Sequence, residues 1–150
     1  MDNNIYTFDI ETTSYVILNN KVYSGIEYDN FTDEEKEKCI KCSCMYEWTF
    51  SINENVYYGR TWEEFEQFLE ILDSNIEEKK IVFVHNLAFE FQFIKDRFNF
   101  NEVFARETHK TMFALMTNYN IEFRCTLHMS NCALEYLPKL FNLPVEKLKG

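Results

Sequence analysis

The apolar positions of this chain change period along its length, and each change marks an element. Between Ile5 and Ile10, the residues Ile5, Tyr6, Phe8 and Ile10 are large or β-branched with Asp9 intruding, which predicts a buried strand. Tyr15–Leu18 reads as the returning partner of a hairpin. Cys44–Phe50 and Asn55–Tyr58 predict two further strands joined near Asn53-Glu54-Asn55. Thr61-Trp62-Glu63-Glu64 has capping-box spacing and leads into Trp62, Phe65, Phe68, Leu69 and Leu72 at helical intervals. An amphipathic helix over 61–73, packed on the sheet through those side chains, follows.

Ile81–Val84 is a continuous β-forming run, the pattern of a strand covered on both faces. The next residues fit a helix through roughly Arg97, and 102–106, 111–117 and 120–125 have the mixed character of shorter strands. Asn131–Leu140 returns to helical spacing, with Ala133, Leu134, Leu137 and Leu140 on one side and Pro138 kinking or ending it. Thr32 and Glu35 form another capping-box pair, which predicts a short exposed helix in the charge run Asp33–Lys38. Early strands followed by a buried strand between helices define an α/β fold with a mixed β-sheet flanked by helices.

Composition narrows the class. The 150 residues suit one compact domain spanning 1–150, and 17% aromatic with only 3 Gly and 2 Pro excludes a mainly disordered chain. Fifteen Lys and Arg against 25 Asp and Glu give a net charge of -10, which repels phosphate backbones unless bound divalent cations reverse the local sign. No stretch approaches the roughly 18 to 20 apolar residues of a membrane span, and the N-terminus lacks the features of a signal peptide. The expectation is a soluble, intracellular chain without a membrane partner. The five cysteines Cys39, Cys42, Cys44, Cys125 and Cys132 have no disulfide-framework spacing. Cys39, Cys42 and Cys44 suggest zinc, but no matching second pair follows, and ordinary reduced thiols are the simpler reading.

Asp9-Ile10-Glu11 carries the sharpest chemistry. Residues two apart in a strand share a face, about 6.6 Å apart along it. Two carboxylates so placed in an apolar strand are costly unless a cation binds between them, and Mg2+ or Mn2+ prefer such hard oxygen ligands. The same pair at a strand end in open solvent needs no partner. His85-Asn86-x-x-Phe89-Glu90 follows the buried strand at a strand-to-helix junction, where α/β proteins place ligand sites. Glu90 then reaches a shared site or simply complements the helix dipole, and Asn86 serves the site or caps the helix.

Together these segments carry a family resemblance. Phe8-Asp9-Ile10-Glu11-Thr12-Thr13 resembles the first exonuclease motif of family B DNA polymerases. His85-Asn86-Leu87-Ala88-Phe89-Glu90-x-x-Phe93-Ile94 resembles the second, in the form used by protein-primed viral and plasmid polymerases. Ile121–Leu127 is similar to their strand ending in Asp-Ser-Leu, and Leu137–Leu143 with Leu148-Lys149-Gly150 is similar to the approach to their catalytic lysine.

The resemblance implies a 3′–5′ exonuclease domain of ribonuclease H-like fold that proofreads by two-metal hydrolysis. It implies Asp9, Glu11 and Glu90 as Mg2+ or Mn2+ ligands and Lys149 near the scissile phosphate. Thr12, Asn86, Phe89, Thr126 and Leu127 would hold the 3′ end of single-stranded DNA. The polymerase domain of the same longer chain would be the partner, in the host cytoplasm if the source is viral.

The sequence departs from the pattern in three places. Glu90 stands where the family has Asp, which sets its carboxylate roughly 1 to 1.5 Å further out where about 0.5 Å is tolerated. Cys125 stands where the pattern has Asp. No Tyr-x3-Asp follows the second motif, so the domain reads as truncated before the third motif and its fourth acid, with weak or no activity by itself. A catalytically degenerate relative that acts through its acidic surface as a protein-binding or DNA-mimicking module is the alternative.

Overall fold

The computed structural model describes residues 3–105 and 110–127. In chain order these form β1 (Tyr6–Leu18), β2 (Lys21–Ser24), α1 (Gly25–Asp29), α2 (Asp33–Lys38), β3 (Ile40–Ile52) and β4 (Asn55–Gly59). There follow α3 (Trp62–Asn75), β5 (Lys80–Val84), α4 (Leu87–Ile94), β6 (Glu102–Ala105), β7 (Thr111–Met116), a 3₁₀ turn at Thr117–Tyr119 and β8 (Ile121–Cys125). The strands make one eight-stranded mixed sheet in the order β4-β3-β1-β5-β8-β7-β6, with β2 also paired to β1. The three central strands β1, β5 and β8 are parallel, and every other pairing is antiparallel.

The first hairpin differs from expectation. Tyr15–Leu18 does not return against Ile5–Ile10; it continues the same strand. Thr12-Thr13-Ser14 contains no Gly, Asn or Asp to take the positive φ of a two-residue hairpin turn, whereas Asn19 and Asn20 both do, at 51° and 63°. That pair forms the two-residue turn whose twist matches a hairpin, and asparagine tolerates it better than most residues. The turn delivers the chain into β2. Asn53, at φ 55°, opens the β3–β4 hairpin where the sequence placed it, and its Oδ1 accepts from the Ile5 amide at 2.9 Å.

Strict alternation along β1 sets two faces. Tyr6, Phe8 and Ile10 are buried, while Thr7, Asp9 and Glu11 point to the opposite side. On the buried side Trp48 and Phe50 of β3 meet Phe65, Leu69 and Leu72 of α3. The Phe8 and Phe65 rings stack at 4.8 Å, and the Trp48 Nε1 donates to the Thr61 carbonyl at 2.9 Å. Gly59 is the position this arrangement requires to be small: a Cβ there would lie 2.5 Å from Trp48 Cζ2. Phe68 is only partly buried, against Trp48, Phe50 and Tyr57; Phe65 is the ring at the centre of the core.

Both expected capping boxes leave a trace, and one is complete. At α2 the Thr32 and Glu35 side chains each bond the other's amide. At α3 Thr61 accepts from the Glu64 amide, but the Glu64 carboxylate turns back to the Arg60 amide at 3.1 Å. A further box, Ser24 with Glu27, opens α1. β5 alternates between fully and partly buried residues, so among the described residues only one of its faces is closed. α4 ends at Ile94, short of Arg97, and the helix expected over 131–140 lies outside the described residues. Among the described residues, no helix is long and apolar enough to cross a membrane.

Candidate active site

The cleft lies where β1 parts from β5 and where β5 and β8 end. β1 pairs with β5 only through Tyr6↔Val82 and Thr7↔Phe83, so the two strands part just before Asp9. The stretch of β1 that has just left β5 presents Asp9 and Glu11, and the carboxyl ends of β5 and β8 lead into His85 and Asn86 and into Thr126 and Leu127. Open α/β sheets bind ligands at such ends. These residues, with Thr7, Phe83, Phe89 and Glu90, line one cleft of about 630 Å3.

Three contacts lace its rim. The Thr126 amide donates to Val84 O at 3.0 Å, His85 Nδ1 lies 2.9 Å from Thr126 Oγ1, and the Leu87 amide donates to Cys125 Sγ at 3.4 Å. Cys125 therefore holds the start of α4 where the family pattern has an acid. Asn86 occupies the N-cap position in left-handed geometry, φ 64° and ψ 57°, but its side chain makes no capping bond. Asparagine is among the few residues that adopt this geometry readily. The amide is thus not committed to the helix, unlike a simple cap.

Glu90 is the electrostatic centre. Among the described residues Lys80, Glu90 and Glu122 are the buried members that normally carry charge. Lys80 donates from Nζ to the carbonyls of Ile76, at 2.7 Å, and Glu78, at 3.2 Å. Burial alone would raise the Glu122 carboxyl, but hydrogen bonds from Lys79 and Arg124 outweigh it and hold the group below its usual range. Glu90 has no such neighbour. It is 3% exposed, and its Oε2 has no hydrogen-bond partner among the described residues. Loss of solvation, reinforced by the Asp9 carboxylate, pushes its pKa from 4.5 to about 9. At neutral pH the acid holds a proton.

A divalent ion would replace that proton and satisfy the orphan oxygen, so the donor set suits Mg2+ or Mn2+. Among the described residues no group of three His, Cys, Asp or Glu side chains is gathered tightly enough to enclose an ion. Asp9 faces Glu90, while Glu11 stands about 6.6 Å further along β1, a separation that mutual repulsion favours. The described cysteines, Cys39, Cys42, Cys44 and Cys125, form no such group either. Cys39 closes α2, donating to Lys36 O at 3.3 Å, and Cys42 and Cys44 lie on β3 opposite Tyr15 and Thr13.

Of the residues singled out in the sequence, Asp9, Glu11, Asn86, Phe89, Glu90, Thr126 and Leu127 share the cleft. Thr12 does not line it. The β1–β3 register shifts between Glu11 and Thr12, with Tyr46 the extra residue, and this turns the strand beyond Glu11. Lys149 lies outside the described residues. Sequence reasoning left out Thr7 and Phe83. The first could have been found by stepping two residues back from Asp9 along the strand, and the second by the register of β5.

The fold of this chain also occurs in solved DNA polymerases. The fold matches Phi29 DNA polymerase complexed with single-stranded DNA, with a TM-score of 0.63 over 97% of this chain at 15% identity. It also matches the ternary complex of that polymerase with primer-template DNA and incoming nucleotide (TM-score 0.59) and its post-translocation binary complex (0.58), each over 99% of the chain at 15% identity. The chain spans 25% of the length of those polymerases. No family model and no curated protein sequence matches it.

Proposed function

We propose that this chain is the 3′–5′ exonuclease part of a protein-primed, family B-type DNA polymerase, with a ribonuclease H-like fold. The observation that carries the reading is the buried Glu90 carboxyl, facing Asp9 with one oxygen unpartnered, in a fold shared with Phi29 DNA polymerase. Asp9, Glu11 and Glu90 would hold Mg2+ or Mn2+. When bound, such ions activate water and stabilise the departing 3′ oxygen.

The chain's own residues do the remaining work. Phe89 and Leu127 hold the unstacked terminal bases, a contact that tolerates any base because each has a π-face. Asn86, its amide free of the helix, binds the sugar-phosphate of the end. Thr126, oriented by His85, steadies the same strand. The family resemblance gives Lys149 a role at the scissile phosphate, and it lies outside the described residues. The natural partner is the polymerase domain of a longer chain, whose third motif adds a Tyr and a further Asp. With three acids, one ion is held well, and residues 1–150 degrade DNA weakly.

The test is Mn2+-dependent shortening of single-stranded DNA from its 3′ end. Extending the chain through a Tyr-x3-Asp segment raises the rate by orders of magnitude, and Asp9→Ala removes the gain. Equal rates for the short and extended chains would refute the assignment of the fourth acid. The second reading, a degenerate relative acting as an acidic protein-binding module, is favoured by the -10 charge and by the spread of the three acids. Robust binding of a protein partner with no cleavage by the extended chain would select it.

A further inference from the structure

The sheet face that carries Asp9 and Glu11 does not stop at β1. Its register runs across β3 to the edge strand β4 in rows. Thr7 lies opposite Ser51, which lies opposite Val56; Asp9 lies opposite Thr49, which lies opposite Tyr58. Cross-strand neighbours share a face, and the hydrogen bond joining Thr7 Oγ1 to Ser51 Oγ confirms it here. The next row places Glu47 opposite Glu11, and continuing it past Gly59 brings in Arg60.

The two tyrosines of β4 divide accordingly. Tyr57 turns to the core side, its ring 5.3 Å from that of Phe68, whereas Tyr58 stands on the Asp9 side and is 71% exposed. Arg60 is also exposed, and no ion-pair partner for it occurs among the described residues. Strands are about 4.8 Å apart, so the Tyr58 backbone lies about 10 Å from that of Asp9. That is the reach of a nucleotide or two.

Resting on the exonuclease reading, we propose that Tyr58 and Arg60 form a second contact for the single strand, away from the cleaved end: a base stacks on Tyr58 and Arg60 takes a phosphate. Each side chain has the chemistry the contact needs. An exposed aromatic ring at a fixed site binds any base by stacking, and a guanidinium grips phosphate oxygens in a fork. On a chain of net charge -10, a cation beside the acid row also steers the backbone across an otherwise repulsive face. The Thr7–Ser51 pair joins this platform to the cleft, because Thr7 lines it.

The experiment measures binding of a fluorescent oligothymidylate to the full chain in Ca2+, with urea unfolding of each variant alongside. Tyr58→Ala should weaken binding about tenfold, within the range of one lost base stack, and Tyr58→Trp should restore it. Arg60→Ala should weaken binding and lower the salt slope by about one ion. Unfolding midpoints should not move, since both side chains are exposed. Wild-type-like binding by both alanine variants would overturn the platform while leaving the exonuclease reading intact. No binding by the wild type would overturn both. A loss of stability in Tyr58→Ala comparable to its loss of binding would show that the ring covers protein, which also overturns the proposal.

Discussion

Replacing Glu90 by Gln should make the metal-free protein more stable, an unusual outcome for a buried residue. With a pKa of about 9 in the fold and 4.5 as the ordinary value, Glu90 keeps its proton at pH 7 when folded and loses it when unfolded. The sign follows from proton uptake on folding. The stabilisation tied to a raised pKa is complete below about pH 4.5 and is lost as pH rises through the folded value near 9. Each unit is about 1.4 kcal/mol, so burying this acid at pH 7 costs on the order of 3 kcal/mol relative to pH 4.5. Glutamine is neutral throughout and, like the protonated acid, donates toward Asp9. Urea unfolding in chelator from pH 5 to 8 should therefore show wild-type stability falling more steeply than that of Glu90→Gln, with the variant ahead at pH 7. Saturating Mn2+ should raise the wild-type midpoint and leave the variant unmoved. Parallel pH profiles for the two proteins would refute the reasoning, because the buried carboxyl would then titrate normally.

The other predictions concern packing and site geometry. Phe65→Ala should cost about 3 to 5 kcal/mol in equilibrium unfolding, since the ring is fully buried among Phe8, Trp48 and Phe50, and the half-buried Phe68→Ala should cost clearly less. Gly59→Ala should cost about 1 to 3 kcal/mol, because its methyl would press on the Trp48 indole; an unchanged Tm would mean the indole moves freely. Glu90→Asp, in a chain extended through the fourth acid, should lower Mn2+-dependent cleavage, the shorter carboxylate losing its reach toward Asp9. A gain would instead mark the longer side chain as a handicap.

Much of this architecture was legible in the residues. Capping chemistry located α2 and α3, and period-2 spacing put Asp9 and Glu11 on one face. The long strands were not legible. Nothing local distinguishes Tyr15–Leu18 as a continuation from a return; the difference lies in Asn19 and Asn20 accepting positive φ, and in partners on β3 distant in sequence. Phe68 looked as central as Phe65 because helical spacing defines a face but not its midpoint. In the site, the motif residues identified the participants, while the proton on Glu90 and the part played by Cys125 depend on burial and on contacts between β5, α4 and β8. The row from Asp9 to Tyr58 is purely a product of register and has no trace in the linear sequence.

The central claim, that Asp9 and Glu90 form a divalent-cation site, predicts a coupled event: at pH 7 the ion must displace the Glu90 proton. Calorimetric titration with Mn2+ in buffers of different ionisation enthalpy reads both quantities at once. The account predicts one ion bound per chain with close to one proton released, and loss of both in Asp9→Ala and Glu90→Gln. Binding without proton release, or binding that survives Asp9→Ala unchanged, would contradict it.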